Sequence, residues 1–147
     1  MKNCFVDKKV DFIVILDHDN EGRSVQAELK SLNYNHCEKI LTLNEIIPLS
    51  LKNFTIEEIL PSSALVEIVN NYYSNSNLFV VDNQKSFIES VKEYKGKHNI
   101  STDLDLKELK SIIPSKIQNH IKKLDKGDFE KEYEKTISFL QNFEGKV

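Results

Sequence analysis

Residues 10–16 form a nearly continuous apolar run that is rich in β-branched residues and ends abruptly at Asp17 and Asp19. Such a run is typical of a strand buried on both faces, as in a parallel sheet covered by helices. From residue 21 to about residue 32 apolar side chains recur with helical spacing, which predicts an amphipathic helix. Residues 39–43 predict a second strand. The pattern therefore predicts a β-α-β unit within an α/β fold.

Beyond residue 60 the pattern is mostly helical, with one short strand predicted over residues 78–81. Apolar spacing and the positions of proline and glycine predict a helix capped by Ser62 or Ser63 that runs to about residue 73, and further helices over residues 87–95, 104–113, 117–126 and 128–143. The fourth of these is separated from the third by Pro114. We therefore expect an α/β domain over residues 1–82, with a helical C-terminal subdomain over residues 83–147 packed on it.

The composition excludes several classes of protein. The chain has 147 residues, which suits one compact domain, and no apolar stretch approaches the roughly 20 residues that span a bilayer. Two cysteines are too few for a disulfide framework, and the N-terminus lacks a secretory pattern, so we expect a cytoplasmic protein without a membrane partner. A net charge of −3 excludes a globally basic nucleic-acid coat, although a local site remains compatible with it.

Asp17 and Asp19 are the strongest candidates for chemistry. In open α/β sheets, ligands bind just beyond the carboxyl ends of the strands, and these two carboxylates follow such an end. Mg²⁺ prefers oxygen ligands and commonly shares them with substrate phosphates. Gly22 would permit a tight turn and the close approach of a phosphate or a backbone. This combination suits metal-assisted phosphoryl transfer or phosphodiester cleavage.

Three other interpretations of the Asp pair are open. The two side chains could simply cap the following helix and face water. Together with Glu21, Gly22 and Glu28 they also match the ligand pattern of an EF-hand calcium loop, but that loop needs a preceding helix where a strand is predicted. A dehalogenase-like phosphatase also has an Asp-x-Asp pair after a strand, but it favours Thr or Val where this chain continues Asn-Glu-Gly.

The run from Phe12 to Arg23 resembles the Asp-x-Asp-x-x-Gly segment of Toprim domains, which occur in type IA and type II topoisomerases, bacterial primases, recombination-mediator proteins and the overcoming-lysogenisation-defect (OLD) nucleases. Residues 55–61, Thr-Ile-Glu-Glu-Ile-Leu-Pro, are similar to the acidic segment that follows the Asp pair in the OLD nucleases. The resemblance implies a parallel sheet flanked by helices and cleavage of DNA with two Mg²⁺ or Mn²⁺ ions. It also implies a module that follows an ABC-type ATPase, often in anti-phage defence.

The resemblance assigns roles to particular residues. Asp17 and Asp19 match the metal-binding pair, and Glu57 matches the downstream acidic ligand, with Glu58 as the alternative register. Lys116 resembles a lysine near the start of a late helix that would neutralise charge on the scissile phosphate, although an ordinary solvated lysine is the slightly preferred interpretation.

Three residues within the first motif are candidate contacts to substrate: His18, Gly22 and Arg23. His18 lies between the two aspartates in sequence. The alternation of side chains at a strand end directs it away from them, so we expect His18 to take no part in metal binding and to be at most a contact to substrate.

One departure from the Toprim pattern affects the functional prediction. Toprim domains begin with a strand that ends in a glutamate, and no glutamate precedes Asp17 here. We therefore expect either the back half of a larger protein or a degenerate relative, with weak or no nuclease activity alone. The expected partners are DNA and an ATPase region or upstream Toprim half, in the same or a neighbouring chain.

The alternative function is a non-catalytic interaction or oligomerisation module that keeps the Toprim shape. A homodimer is conceivable through an apolar stripe in the last helix, although core packing is the preferred use of that stripe. The stripe comprises Phe129, Tyr133, Leu140 and Phe143.

Overall fold

The computed structural model describes residues 12–32, 37–74, 78–100 and 103–146. Strand β1 (Phe12–Leu16), helix α1 (Asn20–Ser31) and strand β2 (Cys37–Thr42) follow one another in the chain. The two strands are parallel, with Leu16 paired to Thr42. This confirms the predicted β-α-β unit and the coarse α/β class.

Strand β1 is less buried than its apolar sequence predicts, and the expectation of burial on both faces is wrong. Phe12 is 43% exposed and Ile15 is 38% exposed. The reason is that the described sheet has two strands, so β1 has one neighbour in the sheet, and α1 packs on the pair.

The remainder of the described chain is helical. A short helix α2 (Leu43–Ile46) follows β2 directly, and a 3₁₀ helix (Ile56–Ile59) carries the Glu-Glu segment. The later helices are α3 (Ser62–Tyr73), α4 (Phe87–Lys97), α5 (Asp103–Ile121), α6 (Lys126–Glu132) and α7 (Glu134–Glu144). None of the helices in the described ranges is long and apolar enough to cross a membrane.

The predicted strand over residues 78–81 is not formed. Phe79 is buried at 1% exposure while Leu78 and Val80 are each 76% exposed, so the segment has the alternation of a strand. It has no paired strand in the described part of the chain. The Phe79 N–H instead donates to the side-chain oxygen of Asn70 in α3 at 2.7 Å.

Pro114 does not divide the chain into two helices as predicted, because α5 runs through it. Leu109, Ile113 and Ile117 recur every four residues on both sides of the proline and are all buried. Packing of this continuous apolar stripe outweighs the backbone hydrogen bond that proline cannot make. Pro114 itself lies on the exposed side of the helix.

The last predicted helix is instead two consecutive helices, α6 and α7, separated at Tyr133. Tyr133 keeps helix-like hydrogen bonds on both sides, with its N–H donating to Phe129 at 2.9 Å and its carbonyl accepting from Ile137 at 2.8 Å. The interruption is therefore confined to the backbone conformation of Tyr133, whose side chain is buried in the core at 1% exposure.

Within the described ranges, buried side chains form two hydrophobic clusters. The larger one joins α3, α4 and α5 with Phe79 and Tyr133. The smaller one surrounds Phe54 and receives Phe139 from α7. Because Phe129 and Phe143 also pack against these clusters while Leu140 is 53% exposed, core packing is the main use of the stripe in the last helices.

Helix α7 also holds the smaller cluster through polar contacts. The Thr136 hydroxyl donates to the Ile59 carbonyl at 2.6 Å, and the Asn142 amide donates to the Ile46 carbonyl at 3.1 Å. These hydrogen bonds connect the C-terminal helix to the 3₁₀ helix and to α2.

The boundary predicted at residue 82, between an α/β domain and a helical subdomain, stays a prediction.

Candidate acidic site at the end of strand β1

Asp17 follows the last residue of β1, and its side chain contacts the start of the 3₁₀ helix. Its Oδ1 atom accepts a hydrogen bond from the Ile56 N–H at 3.0 Å. The neighbouring residues His18 and Phe54 form an antiparallel bridge through two backbone hydrogen bonds of 2.9 Å. Together these contacts place the two acidic segments of the sequence side by side.

Asp19 is the N-cap of α1. Its Oδ1 atom accepts a hydrogen bond from the Gly22 N–H at 2.7 Å, which satisfies one of the unpaired amides at the helix start. Of the two aspartates, Asp19 therefore caps the helix as one of the interpretations proposed. Only one of its two carboxylate oxygens, Oδ1, takes part in the cap.

Gly22 is required at its position by a close approach of the backbone. A Cβ atom there would lie 2.0 Å from the Asp17 carbonyl oxygen, and the residue is buried. The tight turn expected from the sequence is thus formed, and the group that approaches Gly22 is the backbone of Asp17 itself.

Glu57 is buried at 5% exposure, and both of its carboxylate oxygens have partners. Oε1 lies 3.2 Å from the Nζ atom of Lys110 in α5. Oε2 accepts a hydrogen bond from the Thr55 hydroxyl. Glu57 is therefore held in place and paired with an internal cation.

Glu58 makes contacts of a different kind from those of Glu57. Its Oε2 atom accepts from the Thr55 N–H at 2.6 Å in a capping box, and its Oε1 atom accepts from the Phe87 N–H at the start of α4. Burial raises the pKa of Glu58, while these backbone hydrogen bonds act in the opposite direction. Of the two alternative registers, Glu57 faces the charged site and Glu58 connects the 3₁₀ helix to α4.

The electrostatics of Asp17 reflect its charged neighbours. Burial raises the pKa of Asp17, and repulsion from Glu57 and Asp19 raises it further. The hydrogen bond from Ile56 and attraction to Lys110 lower it. Three carboxylates and one ammonium group thus share this end of the sheet, and the negative charge there is incompletely compensated.

Two of these carboxylates, Asp17 and Asp19, carry oxygens of the kind that divalent cations bind. The oxygens of Asp17 and Asp19 suit a hard ion, and Mg²⁺ is commonly held by one or two carboxylates and several waters. The oxygens of Glu57, however, are occupied by Lys110 and Thr55. No group of three or more His, Cys, Asp or Glu side chains in the described residues is placed to hold a metal ion. The predicted ligand set is therefore reduced to Asp17 and Asp19, and metal binding by these two residues stays a prediction.

His18 and Arg23 contact Phe54 and Asn53, in the loop that precedes the 3₁₀ helix. The His18 ring lies against Phe54, with ring centroids 5.2 Å apart, and its Nδ1 atom is 3.2 Å from the Thr42 hydroxyl. Burial lowers the pKa of His18. Arg23 donates to the side-chain oxygen of Asn53 at 2.7 Å. Contact of either residue with substrate stays a prediction.

Lys116 is not brought to the acidic site by the fold; it lines a groove between α3 and α5 that contains none of the predicted metal ligands. The lysine that reaches the acidic site is Lys110, which the sequence did not single out. Six residues along a helix correspond to about 240° of rotation, so the two lysines point in different directions. No local pattern in the sequence distinguishes Lys110, because its partner Glu57 lies far away along the chain.

The chain was compared with family models, with curated proteins and with solved structures. In all three comparisons no match was found.

Proposed function

We propose that this chain is a Toprim-like module of a metal-dependent DNA endonuclease similar to the OLD nucleases. The observation that carries the proposal is the hydrogen bond from the Ile56 N–H to Asp17, which joins segments 39 residues apart. The Asp-x-Asp segment and the Glu-Glu segment, on which the resemblance rests, must lie next to each other if they form one active site. Their contact at the end of β1 supports that requirement.

In this proposal Asp17 and Asp19 bind Mg²⁺ or Mn²⁺, each through the oxygen that its backbone hydrogen bond leaves available. The bound ion would act as a Lewis acid on a phosphodiester and lower the pKa of an attacking water. The chain's own contribution is orientation: Ile56 fixes Asp17, and Gly22 fixes Asp19. Lys110 neutralises the nearby Glu57.

A complete two-ion site would need further carboxylates. An upstream Toprim half or an ATPase region, in the same or a neighbouring chain, would supply them. The two carboxylates described here are a small donor set for two ions, so weak or no cleavage is expected from this chain alone.

Metal binding by the Asp pair is the first test of the proposal. Titration of Mn²⁺ by calorimetry should give a binding heat with the natural chain and none with Asp17→Asn/Asp19→Asn. Asparagine keeps both hydrogen-bond acceptors, so the variant should fold. Glu21→Gln, an exposed change in the same helix, is the control and should bind as the natural chain does. Equal Mn²⁺ binding by the double variant would overturn the ligand assignment.

Plasmid nicking in the presence of Mn²⁺ is the second test, performed with this chain alone and with any encoded upstream partner. Nicking that requires the partner and is lost in Asp17→Asn/Asp19→Asn would support the nuclease.

The second candidate function is a non-catalytic interaction module. The ion pair between Glu57 and Lys110 favours it, because a buried carboxylate that already has an internal cation does not need a metal ion. Retention of fold and of partner binding in Asp17→Asn/Asp19→Asn, with no nicking by any combination, would select this alternative.

A further inference from the structure

A groove of about 610 Å³ lies between α3 and α5, apart from the acidic site. Helix α5 lines it with Ile112, Lys116 and Asn119, and Lys123 extends the same stripe into the following turn. These residues have the spacing of one helical face. Lys122 adds a further ammonium group at the same end.

Helix α3 forms the opposite wall. Its contribution combines an apolar floor at Ile68 with the amide of Asn71 and the ring of Tyr72. The Tyr72 ring is held by two contacts: an edge-on contact with Tyr73, at 4.9 Å between centroids, and a hydrogen bond from its hydroxyl to Glu108 at 3.0 Å. The groove therefore has a fixed aromatic group on one wall and amines on the other.

Positive charge is concentrated at one end of the groove, although the whole chain has a net charge of −3. Among the described residues that line it, Lys116, Lys122 and Lys123 lie at that end, while Glu67 belongs to α3 and Glu108 contacts Tyr72. His120, which also lines it, is engaged with the Tyr133 hydroxyl at 3.0 Å and with Glu132 at 3.7 Å. Local positive charge in a negative molecule attracts anions to that surface.

We propose that this groove binds a nucleotide phosphate, either in a single-stranded nucleic acid or in a free nucleotide. Lys116 and Lys123 would contact phosphate, Tyr72 would stack on a base, and the Asn71 and Asn119 amides would hydrogen-bond a base edge. Such combinations of lysines with an aromatic ring are typical of single-strand binding sites. The volume is within the range of small-molecule pockets.

This site is independent of the proposed metal site. None of Asp17, Asp19 and Glu57 lines the groove. Lys110, which contacts Glu57, lies about 240° around α5 from Lys116. Nucleotide binding should therefore persist in EDTA and in the Asp17→Asn/Asp19→Asn variant, so failure of the nuclease proposal would leave this one intact.

The experiment is fluorescence anisotropy with a labelled oligothymidylate at low salt in EDTA. The natural chain should bind, and Lys116→Ala/Lys123→Ala should weaken binding at least about tenfold and reduce the salt slope by about two. The matched control is Lys92→Ala/Lys107→Ala, which removes the same charge at exposed positions outside the groove and should change affinity less than about twofold. Thermal melts verify that each variant is folded.

Two further measurements identify the ligand. Tyr72→Leu should weaken oligothymidylate binding and leave that of inorganic phosphate unchanged, while Tyr72→Phe should bind as the natural chain does. If thymidine monophosphate displaces the labelled oligothymidylate, the groove binds single nucleotides. If the oligothymidylate stays bound in the presence of thymidine monophosphate, the groove binds a single strand. Absence of binding, equal loss in the control variant, or equal competition by polyglutamate would overturn the proposal.

Discussion

The Nζ atom of Lys110 lies 3.2 Å from the Glu57 Oε1 atom, and the two residues belong to different parts of the fold, α5 and the 3₁₀ helix. The Glu57 side chain is only 6% exposed, whereas that of Lys110 is 39% exposed. Water thus reaches the cation but hardly reaches the carboxylate. Loss of Lys110 leaves a buried charge without its partner.

Lys110→Met should therefore lower the free energy of unfolding by about 1–3 kcal/mol. This loss is smaller than that expected for a fully buried ion pair, because solvent reaches Lys110. Glu57→Gln/Lys110→Met should lose less than the sum of the two single changes, because it leaves no unpaired charge. Urea denaturation measures both. Lys116→Met, an exposed control on the same helix, should change the free energy of unfolding by less than about 0.5 kcal/mol.

Gly22→Ala should destabilise the chain by at least about 2 kcal/mol, because the new Cβ would lie 2.0 Å from the Asp17 carbonyl oxygen. The matched control is Gly96→Ala in α4, where the structure places no atom within 4 Å of the added Cβ. That change should stabilise the helix by about 0.5–1 kcal/mol. Thermal denaturation should shift the two variants in opposite directions, and an unchanged melting temperature for Gly22→Ala would contradict the close packing described here.

Sequence patterns predicted the β-α-β unit because apolar periodicity and capping residues are local signals. The motif resemblance, rather than any local pattern, predicted that Asp17 and the Glu-Glu segment share a site, and the structure brings the two segments into contact. Sequence patterns could not choose between Glu57 and Glu58, since that choice depends on the register of one 3₁₀ turn against α4 and α5. Lys110 was missed for a similar reason: its partner lies far away in sequence.

The errors at Pro114 and at residues 78–81 have a common cause. In both places the prediction followed the conformational preference of the local residues, whereas the structure there is determined by packing against distant parts of the chain. Pro114 favours a helix end, but the stripe on both sides of it is buried in one cluster. Phe79 is buried as in a strand, yet a strand also needs a paired neighbour, which the alternation of side chains does not supply.

Glu93 should titrate with a pKa of about 2, because hydrogen bonds from Lys85 and Lys97 stabilise its carboxylate. A pKa lower in the folded chain than in the unfolded chain means that the unfolded state binds more protons, so stability falls as the pH falls. The difference in unfolding free energy between the natural chain and Glu93→Gln should therefore shrink between pH 4.5 and about pH 2. High salt should reduce it at neutral pH as well.

Carboxyl-detected NMR measures the Glu93 titration directly. Glu130→Gln is the control, because Glu130 forms a looser pair with Lys126 at 3.7 Å and that pair is more exposed. Loss of such an exposed pair should change the free energy of unfolding by less than about 0.5 kcal/mol. A Glu93 pKa near its ordinary value of 4.5 would contradict the role assigned to Lys85 and Lys97.

The Tyr73 hydroxyl is buried and has no hydrogen-bond partner among the described residues. Its burial raises the pKa of Tyr73 to about 12. Tyr73→Phe removes a polar group that has lost its hydration without gaining a bond, so it should leave stability unchanged or raise it by about 1 kcal/mol. Tyr133→Phe offers the contrast, because the Tyr133 hydroxyl contacts the His120 Nδ1 atom at 3.0 Å, and it should cost about 1 kcal/mol. Paired urea denaturation compares the two variants, and a clear destabilisation by Tyr73→Phe would show that its hydroxyl is hydrogen-bonded after all.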